Sequence, residues 1–280
     1  MIILRTIPEL RTFVHDWHSQ GLRIGLVPTM GYLHGGHLSL IDCIKPHCDR
    51  TIVSIFINPA QFAPHEDLER YPRDFERDEK LVEERGVAAI FYPDAAEIYP
   101  EGFRSFVIVE GLSGVLCGRS RPTHFRGVTT VVAKLFNLTK CHVAVFGQKD
   151  YQQALIIQQM VEDLNLDVEI LLSPTVRDTD GLALSSRNNY LSPEERQRAV
   201  CLYKALTQGQ RLFQSGEVAV SKIKQEMRKA LRNTGVTVDY VEVVDAKTLQ
   251  PLEKVNRRAV LAGAVWVGNT RLIDNIIIEP

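Results

Sequence analysis

Thr29-Met30-Gly31-Tyr32-Leu33-His34-Gly35-Gly36-His37 is the stretch on which the reading of this chain turns. An apolar run at 23–27 leads into it, and an apolar-periodic segment at 38–44 leads out. A strand that turns through glycines into a helix gathers backbone N–H groups and the positive end of the helix dipole at one spot, which suits phosphate. His34 and His37 add side-chain donors to that spot. Read alone, H-x-x-H is equally a surface turn or half of a metal site. The strand before, the helix after and the glycines are what favour the phosphate cradle.

Working outward, apolar strand-like runs recur at 51–57, 88–92, 142–146 and 168–172, with a short extra strand at 106–109. Helical patterns fall at 37–45, 75–85, 128–138 and 150–164. Strands apolar throughout and separated by helices predict a parallel sheet covered on both faces, an α/β Rossmann-like doubly wound fold. Ligands in such sheets lie beyond the carboxyl ends of the strands. Three polar or glycine-bearing segments follow strand ends here: the His34–His37 turn, Asn58-Pro59-Ala60-Gln61-Phe62, and Gly147-Gln148-Lys149-Asp150.

From Ser192 the texture changes. Ser192-Pro193-Glu194-Glu195 combines an N-cap, a proline at the first helical position and an N3 glutamate. Helical patterns run to about 213 and from 218 to 232. Strand patterns then follow at 237–244, 258–267 and 272–278, expected as a small antiparallel sheet. The expected organisation is a Rossmann-like phosphate- and substrate-binding domain over 1–176 and a smaller α+β C-terminal domain over 177–280. The second contributes a mobile phosphate-binding loop at 180–189. There are no internal repeats.

Composition narrows the class. A formal net charge of −1 over 280 residues gives no electrostatic footprint for nucleic acid or an anionic membrane. Five cysteines without CxxC spacing read as buried thiols of a reduced, cytoplasmic protein. Cys43, His47 and Cys48 lack the spacing and second half of a structural zinc site. No signal-peptide core forms before Arg5, Glu9 and Arg11, and the longest apolar stretch, at 259–268, is half a membrane span.

Chemistry-bearing residues lie on the loops. Lys149 is placed to meet phosphate as a compact charge, though an exposed lysine is the ordinary reading. Asp150 reads at least as well as a helix N-cap. Gly181-Leu182-Ala183-Leu184-Ser185-Ser186-Arg187-Asn188 offers two hydroxyls and a guanidinium, suited to the outer phosphates of ATP and to departing pyrophosphate; alone it is a solvated turn. Gln61 and Gln153 are neutral amides able to orient a hydroxy acid without holding its carboxylate firmly. No Gly-x-Gly-x-x-Gly follows the first strand, and there is no P-loop and no G-x-S-x-G elbow.

The His34-x-Gly36-His37 turn resembles that of nucleotidyl-transferring α/β enzymes, which cut ATP between its α- and β-phosphates. The chain as a whole closely resembles the pantoate–β-alanine ligase family. The matches run nearly end to end: Val27-Pro28-Thr29-Met30-Gly31, His34 to His37, Ser54-Ile55-Phe56-Ile57-Asn58-Pro59 with Gln61-Phe62, Tyr71-Pro72-Arg73, His124-Phe125-Arg126-Gly127, Phe146 to Gln153, Asp180 to Asn188, and Arg271-Leu272-Ile273-Asp274-Asn275. The resemblance implies an ATP-dependent ligase that joins pantoate to β-alanine through a pantoyl adenylate, releasing AMP and pyrophosphate.

Residue by residue, it implies that Met30, Gly31, Tyr32, Leu33, His34, Gly35, Gly36 and His37 line ATP. His34, His37 and Lys149 are then the catalytic candidates, with His37 the proton donor. Gly147, Gln148, Lys149, Asp150, Val176, Leu184, Ser185, Ser186 and Arg187 complete the nucleotide site. Gln61 touches pantoate and β-alanine, and Gln153 touches pantoate. Mg²⁺ rides mainly on the phosphates, with Asp78 a possible protein contact, and the chain is expected to form a homodimer. Two positions depart from the family pattern: Gly35 stands where an acid is common, and Gln148 where a glutamate is usual. The alternative is a related nucleotidyltransferase acting on a phosphorylated alcohol; such enzymes are usually single-domain, and the second domain here argues against it.

Overall fold

The computed structural model describes residues 1–280. Its strands are β1 (Ile2–Leu4), β2 (Ile24–Thr29), β3 (Arg50–Ile55), β4 (Ala89–Phe91), β5 (Val143–Gly147), β6 (Glu169–Ser173), β7 (Thr237–Asp245), β8 (Ala259–Val267) and β9 (Thr270–Ile278). Its helices are α1 (Ile7–Ser19), α2 (Gly35–Ile44), α3 (Phe75–Glu83), α4 (Ala95–Ile98), α5 (Cys117–Ser120), α6 (His124–Thr139), α7 (Tyr151–Asp163), α8 (Pro193–Ala199), α9 (Cys201–Gln214) and α10 (Val220–Leu231). No helix is long and apolar enough to cross a membrane.

Two compact units divide the chain, and the division is not a single cut. The first holds 1–114, 118–147 and 153–174; the second holds 115–117, 148–152 and 175–280. Two short upstream stretches therefore group with the C-terminal part, and side-chain bonds explain why. Gln152 accepts from the Cys117 N–H and donates to the Val115 carbonyl, at 3.0 and 2.7 Å. The Tyr151 hydroxyl donates to the Ala246 carbonyl at 2.8 Å.

In the first unit, six parallel strands run in the order β1-β4-β3-β2-β5-β6. Ile24, Leu26, Val27, Ile52, Val53, Ile90, Val143 and Val145 are fully buried, as strands covered on both faces require. Chain order reverses between β2 and β5, the switch point at which open α/β sheets bind ligands. Those two strands pair only at Gly25–Val143 and Leu26–Ala144. Pro28 follows without an N–H to extend the ladder, and the sheet opens there, beside the glycine–histidine turn.

The second unit is a three-stranded antiparallel sheet, β7-β8-β9. Leu202, Leu206, Ile223 and Met227 of α9 and α10 pack with Val241, Leu261 and Val265 in its core. Ser192 caps α8 reciprocally with Glu195, as its sequence predicts.

Several expectations shift. The strand expected at 106–109 joins no sheet, because Val107 gives its N–H to Thr130 and its carbonyl to Thr129 of α6 (3.1 and 2.6 Å). Helix α2 starts two residues early, because His34 and not Gly36 is its cap. The helix expected from 193 to 213 breaks at Val200 into α8 and α9. Four elements, β1, α1, α4 and α5, have no counterpart in the expectations, although at α1 Thr6 and Glu9 form a complete capping box with Pro8 between them.

Candidate active site

The turn after β2 is built by side chains that bind backbone. Thr29 Oγ1 donates to the Ser54 carbonyl and accepts the Gly31 N–H, at 2.8 and 3.2 Å. Gly31 has φ +83°, and a Cβ there would sit 2.9 Å from Ile55 Cγ2, so only glycine fits. Tyr32 also takes a left-handed backbone, φ +50°. The strained pair is held by Asp78, buried on α3. One carboxylate oxygen accepts the Tyr32 N–H at 2.6 Å and the other accepts the Leu33 N–H at 2.7 Å. Burial raises the Asp78 pKa, and those two N–H bonds with Arg77 at 3.7 Å pull against it. Asp78 thus serves as an anchor of the turn; as a magnesium contact it has both oxygens already engaged.

His34 and His37 form an unusual helix cap. His34 Nδ1 accepts the Gly36 N–H at 3.1 Å, and His37 Nδ1 accepts the His34 N–H at 3.3 Å. Their rings lie 4.1 Å apart, centroid to centroid. A ring nitrogen that accepts a backbone N–H carries no proton, so the proton sits on Nε2 in both rings. Both histidines therefore carry a donor at Nε2 beside a helix N-terminus, a position that favours an anion. Gly35 is simply the first residue of α2, and the cap forms without an acid there.

Gln61 lies beside this turn. Its Nε2 donates to Met30 Sδ at 3.1 Å, and its Oε1 accepts from Asn58 at 3.0 Å. Asn58 is buried and ties the region together: it donates to the Gly127 carbonyl at 3.0 Å and accepts from the Tyr99 hydroxyl at 2.8 Å. The Gln61 carbonyl faces His124 Nδ1 at 2.9 Å and accepts from Arg121 at 3.3 Å, and Arg121 in turn pairs with Glu66 at 2.5 Å. At Gly127 a Cβ would fall 2.3 Å from the Ala60 carbonyl, so this glycine lets α6 approach the turn. The structure thus brings Met30 and Gln61 into contact and holds Gln61 with groups to which the sequence assigned no role: Asn58 and His124, which lie in matched stretches, and Tyr99 and Arg121, which no motif marks. Gln153, half-buried on α7, belongs to the same unit, with no hydrogen bond to these groups.

The remaining candidates, apart from Gly147 at the end of β5, belong to the second unit. Gln148, Lys149 and Asp150 form a 3-10 turn after Gly147, and Lys149 Nζ lies 3.7 Å from Asp150. Asn275 Nδ2 fixes that turn by donating to the Gln148 and Lys149 carbonyls, at 2.9 and 3.0 Å. The Gln148 side chain reaches Asn275 Oδ1 at 3.5 Å. Asp274 receives both Nη atoms of Arg177, at 2.5 and 2.9 Å, and accepts the Asn275 N–H at 2.8 Å. Burial raises the Asp274 pKa against the pull of Arg177.

Val176 and Leu184 close a hairpin, the Leu184 N–H donating to the Val176 carbonyl at 3.0 Å. Arg177 stacks over Tyr203 at 4.2 Å and donates to the Gly181 carbonyl at 3.1 Å. Ser185 caps the short 3-10 helix Ser186–Tyr190 by accepting the Arg187 N–H at 3.3 Å. Asp178 and Asp180 both pair with Arg196 at 2.7 Å. The loop is therefore folded, with each turn tied to its own unit. No group of three or more His, Cys, Asp or Glu side chains is arranged to hold a metal ion.

The profile of the pantoate-beta-alanine ligase family matches residues 2–277. A pantothenate synthetase of Moorella thermoacetica is 55% identical over 280 residues, covering 100% of this chain and 99% of its own. One from Thermotoga petrophila is also 55% identical, over 279 residues and 100% of its own length. Among solved structures, the pantothenate synthetase of Thermus thermophilus superposes with a TM-score of 0.95 at 44% identity, each chain wholly covered. A pantoate-beta-alanine ligase from Francisella tularensis, complexed with β,γ-ATP and β-alanine, superposes at 0.82 with 34% identity, over 99% of this chain and 97% of that one. With a family match over nearly its whole length and relatives above half identity, the chain belongs to the pantoate–β-alanine ligase family.

Proposed function

We propose that this chain condenses pantoate with β-alanine at the expense of ATP, forming pantothenate, AMP and pyrophosphate. A carboxylate oxygen of pantoate attacks the α-phosphorus of ATP, and pyrophosphate leaves with the electrons of the broken P–O bond. The amine of β-alanine then attacks the acyl carbon of pantoyl adenylate. AMP departs, and the ammonium proton is lost.

The observation that carries this reading is the double histidine cap. His34 and His37 present Nε2–H donors where negative charge grows on the transferred phosphate and on the departing pyrophosphate, and a preorganised donor stabilises that charge without reorganising. His37 is then the group that donates a proton. Met30 to His37 line ATP in this reading, with the Gly31, Tyr32, Leu33, His34 and Gly36 N–H groups holding the turn itself through Thr29, Asp78, His37 and His34. The same reading assigns Lys149, Ser185, Ser186 and Arg187 to the phosphates and Gln148, Asp150, Val176 and Leu184 to the rest of the nucleotide. Gln61 is assigned to pantoate and β-alanine, and Gln153 to pantoate. Magnesium is assigned mainly to the ATP oxygens, where it neutralises phosphate charge. The chain works as a cytoplasmic homodimer in this reading.

The test is AMP release from ATP, pantoate and β-alanine with each omitted in turn. Labelled pyrophosphate should exchange into ATP with pantoate present and β-alanine absent. Exchange that requires β-alanine would overturn the adenylate route.

A further inference from the structure

We propose that Tyr99 is a positioning residue for pantoate, the head of a chain of donors that runs through Asn58 and ends at the Gln61 amide. The proposal rests on the assignment of Gln61 to pantoate and says what gives that side chain its orientation and donor strength. Tyr99 ends α4 and lies 41 positions from Asn58, within the same unit as Met30, Gln61 and Gly127.

The two ends of an amide have nearly the same shape, so hydrogen-bond partners decide which end faces a ligand. At Asn58 the backbone decides. The Ala60 N–H, which can only donate, lies 3.2 Å from Oδ1, and the Gly127 carbonyl, which can only accept, lies 3.0 Å from Nδ2. Turning the amide over would set donor against donor and acceptor against acceptor. With Asn58 so fixed, the Tyr99 hydroxyl donates to Oδ1 at 2.8 Å, and Gln61 turns Oε1 toward Nδ2 at 3.0 Å. Gln61 Nε2 is then the end turned to a ligand. Within the chain it meets Met30 Sδ at 3.1 Å, and a thioether is a weak acceptor that a carboxylate or hydroxyl oxygen of pantoate displaces.

Every donor in this chain points the same way: the Tyr99 hydroxyl to Asn58, Asn58 to Gln61, and Gln61 to the ligand. Bonds in line polarise one another, because a donor on the oxygen of an amide makes its N–H a better donor. Asn58 and Gln61 are both buried, where such coupling is strongest. Loss of the first bond is therefore felt at the last. Burial pushes the Tyr99 hydroxyl up to about 12 against the pull of Asn58, so it stays a neutral donor near pH 7. Its ring is held separately, edge-on to Phe103 at 5.0 Å and beside Phe56 at 6.3 Å, so the hydroxyl can be removed with the packing kept.

Steady-state kinetics on the full chain test the proposal. Tyr99→Phe should raise the KM for pantoate about fivefold and leave the KM for ATP within about twofold of the wild type. Gln61→Ala should impair pantoate use by itself, and adding Tyr99→Phe to it should cost nothing further, since the chain has lost its end. A tyrosine that merely supported the fold would damage the use of both substrates and would keep its penalty without Gln61. Should Tyr99→Phe fail to fold, 3-fluorotyrosine at position 99, a stronger donor of nearly equal volume, should lower the KM for pantoate; an unchanged or raised KM counts against the chain. Wild-type pantoate kinetics in Tyr99→Phe, or a penalty that persists in the Gln61→Ala background, overturns the positioning role while the assignment of Gln61 stands. Unimpaired pantoate use in Gln61→Ala overturns that assignment and this proposal with it.

Discussion

Two turns that we assign to ATP, the one after β2 and the one after β5, are each anchored by a buried aspartate, and the two aspartates are compensated differently. Asp78 receives two backbone N–H dipoles directly from the turn that it holds, with a cation no nearer than Arg77 at 3.7 Å. Asp274 receives the fork of Arg177 and reaches its turn only through Asn275, whose amide binds the carbonyls of Gln148 and Lys149. The first carboxylate shapes backbone directly, and its loss bears on geometry. The second belongs to an ion pair whose loss strands a guanidinium, and bears on stability. A buried charge can thus specify a conformation or hold a unit together, depending on what neutralises it.

The largest effects should come from the groups that these anchors position. His34→Ala or His37→Ala should lower turnover about 10²- to 10³-fold with the fold intact, since a rim turn contributes little core. Steady-state kinetics with a thermal melt checks this, and near-normal turnover would make the histidines bystanders. Lys149→Ala should depress adenylate formation by about 10²-fold. Its reaction with preformed pantoyl adenylate and β-alanine should suffer much less, because pyrophosphate has already left. Equal damage to both steps would show that the lysine only supports the fold.

Next come the anchors themselves. Asp274→Asn leaves the partly buried Arg177 without its partner and should cost about 2–3 kcal/mol of stability, somewhat below a fully buried pair because Arg177 keeps some solvent contact. Urea unfolding measures it. Asp78→Asn retains one acceptor and removes the other, so one strained N–H loses its partner. Relief of a buried charge offsets that loss in stability, and the expected outcome is a turnover reduced about tenfold with unfolding changed by less than about 1 kcal/mol. If Asp78→Asn destabilises as much as Asp274→Asn, the contrast between the two anchors is wrong.

The smallest effect is a pH dependence in the second unit. Burial alone would raise the Asp245 pKa, but Arg257 and Thr248 outweigh it and hold the carboxyl at about 2. A carboxyl depressed on folding stabilises the protein above its unfolded value of about 4, and that contribution is lost as pH falls through the folded value. The depression amounts to at most about 2–3 kcal/mol, and screening of the exposed Arg257 brings it to about 1 kcal/mol. Asp245→Asn should therefore lower the melting temperature at pH 7 and make little difference near pH 2.

The sequence by itself determined the features fixed by near neighbours in the chain. Buried strand runs separated by helices specify the parallel sheet, Ser192 and Glu195 the start of α8, and the His34–His37 turn the anion cradle after β2. In each case the bonds join residues two to four positions apart, or follow from the period of a single element. The tertiary structure alone decided the rest. The Asp78 bond to Leu33 spans 45 positions, the Asn275 bond to Lys149 spans 126, and no local pattern encodes either. The strand pattern at 106–109 was legible, but its partner was not. Whether an extended segment finds a sheet depends on where its backbone groups are already bound, and Thr129 and Thr130 on another element settled that.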